Sequence, residues 1–245
     1  MTKKSDSEML SIVRGKIKEG ANSELSLTRP FVSLSFAQSL DGSISLHPSA
    51  PVRLSNIHSQ SFTHSLRAIH NSILIGIGTL LADDPQLTVR LVSGEDPIPV
   101  VVDSHLRFPT HSKLLRKNTI KPWIACTSEI SDGKVDIIQK SGGEIIPLPA
   151  LSNGWVNLSS LMQHLHDRGI RSVMVEGGAR IITSFLRERL ADQIILTIVP
   201  MILGGFRGVR ELENIVSPFI TNLKNINYEL IQDNLIVRGD LNYQV

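Results

Sequence analysis

From Phe31 onward, short apolar strands alternate with helical stretches, and the last two strands face each other across a tight turn. That alternation restricts the chain to an α/β fold. The expected sheet is central and mostly parallel, flanked by helices, with an antiparallel C-terminal hairpin at its edge. The strands read as 31–40 (FVSLSFAQSL), 72–77, 98–102, 123–127, 143–147, 172–175 and 192–199. The hairpin reads as 225–231 against 235–241 across Asp233-Asn234. One helix starts at a cap on Ser55 or Asn56 and runs to about His70. A second, 157–169, is capped by Asn157, striped by Leu158, Leu161, Met162 and Leu165, and stopped by Gly169; a third spans 179–190. A helix over 7–19 would place Met9, Ile12, Val13 and Ile17 near one face. The expected organisation is an N-terminal arm, 1–29, and a single domain, 30–245.

Composition removes several function classes. A chain of 245 residues with 41% apolar and 20% charged residues suits a soluble globular protein that buries roughly 70–75% of its unfolded surface. The net charge is +2 with scattered basic residues, which gives no case for nucleic acid. Cys126 is the lone cysteine, in an apolar strand, and reads as core. The histidines show no zinc-protease spacing: His164 and His166 point to different helix faces, and His58, His64 and His70 do not converge on one ion. No metal is expected. No signal-peptide pattern opens the chain, and the longest apolar run, 73–82, is half a membrane span and broken by glycines. A cytoplasmic protein with no membrane partner is the expectation.

The chemistry concentrates at strand ends. In 171–186 (RSVMVEGGARIITSFL) a strand meets Glu176-Gly177-Gly178 and a helix begins at once. Bare backbone lets a ligand approach, and free N–H groups with the helix dipole favour an anion there. A ligand-free tight turn is the competing reading of a glycine pair taken alone. Arg180 lies in that helix's first turn, where the dipole opposes a cation by about 0.3–1 kcal/mol. It is either solvated or paired with a phosphate. Glu176 sits at the carboxyl edge of a strand, where α/β proteins bind ligands.

Gly76-Ile77-Gly78 lacks the third glycine of a dinucleotide fingerprint, because Leu81 holds that place. Thr79 and Asp83 would lie one helical turn apart, as nucleotide-facing groups or as simple caps. Arg67 and Arg90 have the fork that matches phosphate, though either could be a surface residue. Asp41, before Gly42, is a turn residue or an acid.

These segments, in this order, resemble the riboflavin-biosynthesis pyrimidine reductase family, whose fold is like dihydrofolate reductase. The resemblance rests on SLDG at 39–42, Leu66-Arg67-Ala68, ILIGIGTLLADDPQLTVR at 73–90, VVDS at 101–104, VMVEGGA at 173–179 and PMILGG at 200–205. It implies NADPH-dependent reduction of a ribosylamino-pyrimidine 5′-phosphate to the ribitylamino product. The cofactor contacts carry over onto Thr79, Asp83, Glu176, Gly177, Gly178, Ala179 and Arg180, and the substrate contacts onto Arg67, Leu87 and Arg90, with Glu176 facing both ligands. Asp41 and Glu176 are the available acids for the accompanying proton, Asp41 preferred. A homodimer is implied as well.

The zinc deaminase fused to bacterial members has no counterpart, since neither its HxE nor its PCxxC motif is present. That favours the fungal-type branch, which acts on the still-aminated 2,5-diamino-6-ribosylamino-4(3H)-pyrimidinone 5′-phosphate. Between Gly42 and Arg53 the chain departs from the bacterial pattern with His47-Pro48-Ser49-Ala50-Pro51, and no substrate contact is carried over there. Three alternatives stay open: the deaminated substrate 5-amino-6-(5-phosphoribosylamino)uracil, a related enzyme acting on a pterin, and a non-catalytic nucleotide-binding module.

Overall fold

The computed structural model describes residues 7–47, 50–128, 132–209 and 221–243. Nine strands form one sheet: β1 (Phe31–Ser39), β4 (Ser72–Gly76), β5 (Ile98–Val102), β6 (Trp123–Thr127), β7 (Glu144–Leu148), β8 (Ser172–Val175), β9 (Gln193–Val199), β11 (Thr221–Ile231) and β12 (Asn234–Tyr243). Their order is β11-β12-β9-β1-β8-β4-β5-β6-β7. All pairings from β9 to β7 are parallel, while β12 runs antiparallel to both β9 and β11. A small antiparallel sheet joins β10 (Phe206–Arg207), β2 (Ser43–His47) and β3 (Ala50–Pro51).

The central strands are apolar on both faces because helices cover both. Along β4 the side chains alternate. Leu74 joins the cluster under α6 (Leu158–Asp167) and α7 (Ala179–Arg187). Ile73 and Ile75 join the one under α3 (Ile77–Asp83), α4 (Lys113–Arg116) and α5 (Asp132–Lys140). A third cluster unites Met9, Leu10 and Val13 of α1 (Glu8–Gly20) with Phe62 and Leu66 of α2 (Ile57–Ala68) and with Met174, Ile195 and Ile236 of the sheet. Cys126 is buried in the core, and burial pushes its thiol up to about 11.

The helix caps follow from local chemistry. Ser7 Oγ accepts from Leu10 N at 3.1 Å, Asn56 Oδ1 from Ser59 N at 2.9 Å, and Asn157 Oδ1 from Ser160 N at 3.0 Å. The helix expected over 179–190 stops at Arg187: Arg189 turns left-handed at φ 54° and Leu190 N closes the end on Phe185 O. The hairpin is longer than expected, and its turn lies at Gln232-Asp233, because Gln232 (φ 60°) takes the left-handed place and Asn234 already pairs with Ile231. The small sheet and the helices α4 and α5 were not foreseen; β2 is short and partly exposed, so it lacks the apolar run that marks a buried strand. Pro48 and Ser49 of the 47–51 segment lie outside the described residues.

Candidate active site

β1, β8, β4 and β5 are parallel neighbours, so their carboxyl ends share one edge of the sheet. Beyond that edge opens a cleft of about 1190 Å³. Two adjacent strands run through glycine straight into helices: Gly76 is the N-cap of α3 and Gly178 that of α7, and neither helix has a side-chain cap. The first N–H groups of α7 are thus left for a ligand. Thr79 Oγ1 accepts from Gly178 N at 3.0 Å and ties the two junctions together.

The glycines have separate reasons. A Cβ on Gly177 would stand 1.7 Å from Ile181 Cγ2, so packing of the first turn of α7 excludes any side chain. A Cβ on Gly78 would meet no protein atom within 4 Å and would project into open space, although Gly78 lines the cleft. Arg180 rests its guanidinium 4.8 Å from the Trp155 ring centroid, which offsets the opposing dipole with a cation–π contact.

Across the cleft, α2 presents Gln60, Thr63, His64 and Arg67 along one face. Arg67 forks onto Glu176: Nε to Oε1 and Nη2 to Oε2 are both 2.7 Å, with side chains 11% and 18% exposed. Its remaining Nη1 donates to Thr88 O at 3.0 Å. Burial opposes the Arg67 charge, but the Glu176 carboxylate outweighs it and holds the guanidinium above its ordinary value. Arg90 is exposed, with only long contacts of 3.2 Å to Gln86 and Thr88. Burial first, then the Arg67 and Arg90 charges, lower His64 to about 4, so it is neutral at physiological pH.

Of the residues expected at the site, Thr79, Asp83, Glu176, Gly177, Gly178, Ala179, Arg180, Arg67 and Arg90 line this cleft. Leu87 and Asp41 do not. The Leu87 side chain is buried in the core on a left-handed backbone of φ 57°. Asp41 is a clasp: Oδ1 accepts from Ser39 Oγ at 2.5 Å and Leu203 N at 3.0 Å, and Oδ2 from Ser43 Oγ and Gly204 N, both at 2.8 Å. The Ser39 bond leads in holding this carboxyl well below the usual carboxylate range, so it stays ionised and has no proton to give at working pH.

The sequence reading missed Arg53, Gln60, Thr63, His64, Arg107 and Trp155, all in the lining. For the α2 group a signal was available, since positions 60, 63, 64 and 67 share one helical face opposite Phe62 and Leu66.

The RibD C-terminal domain family matches residues 30–237. The chain belongs to that family. A relative from Debaryomyces hansenii, named 2,5-diamino-6-ribosylamino-4(3H)-pyrimidinone 5′-phosphate reductase, is 34% identical over 190 residues, covering 72% of this chain and 77% of its own. One of the same name from Archaeoglobus fulgidus is 35% identical over 187 residues, covering 72% and 83%. Among solved structures, the riboflavin biosynthesis reductase of Saccharomyces cerevisiae superposes with a TM-score of 0.73 at 26% identity over 96% of this chain and all of the other. The Acinetobacter baumannii RibD structure shares the fold, with a TM-score of 0.76 at 23% identity; it covers 93% of this chain, which spans only 62% of that protein. Among the described residues, no helix is long and apolar enough to cross a membrane.

Proposed function

We propose that this chain reduces the ribosylamino group of 2,5-diamino-6-ribosylamino-4(3H)-pyrimidinone 5′-phosphate to the ribitylamino product with NADPH, working as a cytoplasmic homodimer. The observation that carries the reading is the pair of uncapped, glycine-entered helix starts beside a charged wall in one cleft. The residues fit a dinucleotide: the bare Gly78 and the free N–H groups at Ala179 and Arg180 would hold its phosphates, with Thr79 and Asp83 alongside. When bound, NADPH supplies the hydride.

The protein's own work is orientation and charge placement. Glu176 is fixed by Arg67 of the α2 wall next to the Gly177-Gly178 junction, where it would present carboxylate charge to both ligands. Of the two arginines expected at the substrate, Arg67 is committed to Glu176 and Thr88, so Arg90 is the one we assign to the substrate phosphate. A substrate contact from Leu87 falls to its backbone. Asp41 acts as a positioning residue, holding the turn after β1 against 203–205.

In this reading residues 1–29 are an N-terminal arm that packs its helix α1 into the core of a 30–245 reductase domain. For the dimer, the support is edge strand β11, which exposes Ile226, Tyr228 and Leu230. Light scattering at micromolar concentration should return twice the 27.0 kDa chain mass. Activity is tested by NADPH oxidation with the aminated pyrimidine phosphate and its deaminated counterpart in parallel. Turnover of the aminated compound is expected; turnover confined to the deaminated one, or none with either, refutes the reading.

A further inference from the structure

The α2 wall holds one buried ring nitrogen with no protein partner among the described residues. Gln60 Nε2 donates to Ser55 O at 2.7 Å, and its Oε1 accepts from Arg53. Thr63 Oγ1 donates to Ser59 O, and all three guanidinium nitrogens of Arg67 are engaged. His64 differs. Its Nδ1 accepts the Arg90 backbone N–H at 2.9 Å, which fixes the proton of the neutral ring on Nε2. That Nε2 has no protein partner among the described residues, although the side chain is only 5% exposed and lines the cleft.

The same bond places the ring against the backbone of Arg90, whose exposed guanidinium makes only the two 3.2 Å contacts to Gln86 and Thr88. The loop that carries Arg90 is itself pinned: Thr88 O by Arg67, Val89 N by Asp96 and Gln86 O by Asn118. The His64 ring and the Arg90 backbone are therefore held together before any ligand arrives.

We propose that His64 is a substrate-phosphate ligand, its Nε2–H donating to a phosphomonoester oxygen that Arg90 binds from the other side. This rests on the reading of the substrate as a phosphorylated sugar derivative, and it adds a specificity residue to that site. A neutral donor suits the place, since a third full charge beside Arg67 and Arg90 would be repelled. One hydrogen bond to a charged phosphate oxygen should be worth about 10- to 100-fold in affinity.

Calorimetry with ribose 5-phosphate and with ribose tests this without turnover. His64→Leu should weaken ribose 5-phosphate binding by that factor and leave ribose binding unchanged. His64→Gln, which keeps an N–H near the Nε2 position, should recover most of it. If His64→Leu does not fold, nitrogen-15 NMR of the wild type titrated with inorganic phosphate takes its place, and the His64 Nε2 resonance should move at saturation. Equal losses for both sugars, an unmoved Nε2 resonance, or no ribose 5-phosphate binding by the wild type overturns the proposal. Phosphate binding that behaves as expected, without NADPH oxidation on either pyrimidine, would instead reject the reductase reading and leave this site standing.

Discussion

The Arg67–Glu176 pair is the most exacting test of how this cleft is built. Both contacts are 2.7 Å and both side chains are largely buried, so removing Arg67 strands a carboxylate at the base of the cleft. Breaking a fully buried pair from one side costs about 3–5 kcal/mol. The residual exposure of 11% and 18% lets water reach the survivor, which brings the expected loss for Arg67→Met to about 2–3 kcal/mol. With a urea slope of about 3 kcal/mol/M, the unfolding midpoint should fall by roughly 0.7–1 M. Glu176→Gln keeps the shape but leaves the guanidinium with a neutral partner, and should cost about 1.5–3 kcal/mol. The double variant removes both charges together. Its loss should be smaller than the sum of the singles by about 1–3 kcal/mol, the coupling expected of groups in direct contact. Urea titrations of all four proteins, followed by circular dichroism, measure this. Losses that add within about 0.5 kcal/mol would refute the view that the two residues form one lock across the cleft.

Three other outcomes follow from the geometry. Gly78→Ala should keep or raise stability by about 0.5 kcal/mol, since the new methyl meets no protein atom in a helix, yet weaken NADPH binding measured by fluorescence titration; unchanged affinity would place the cofactor elsewhere. Gly177→Ala should cost about 1–3 kcal/mol of stability because its methyl collides with Ile181, and a thermal midpoint equal to wild type would contradict that packing. Burial lowers His64 and His70 to about 4 in the folded state, against about 6.5 unfolded, so the unfolded chain binds more protons and stability should fall as pH drops from about 6.5 towards 4. Below that window the depressed Asp41 carboxyl adds a further loss as it protonates, which Asp41→Asn should abolish; urea midpoints across pH that stay flat would refute both assignments.

Much of the fold was legible because each local signal agreed with the tertiary demand. The strands 98–102, 123–127 and 172–175 coincide with β5, β6 and β8, since a parallel strand buried on both faces must be a short unbroken apolar run. Asn56 and Asn157 cap their helices through contacts three residues away, which sequence spacing reports directly. The Glu176-Gly177-Gly178 junction belongs to the same class, because strand, turn and helix adjoin along the chain.

Contacts between distant segments carry no such local mark. Arg67 and Arg90 look alike in sequence, as forks suited to phosphate. Only folding brings Glu176, 109 positions away, onto Arg67 and leaves Arg90 free. Asp41 reads as an acid at a strand end until loop 203–205 closes over it and saturates its oxygens. His64 yields no metal by spacing, and its poise comes from the Arg90 backbone, 26 residues on. Residue type and period therefore determined which elements form and where the glycine-lined junctions fall, because those depend on neighbours along the chain. Which charged groups are spent and which remain to meet a ligand was decided by the tertiary structure alone, because hydrogen bonds and ion pairs act over a few ångströms in space whatever the distance in sequence.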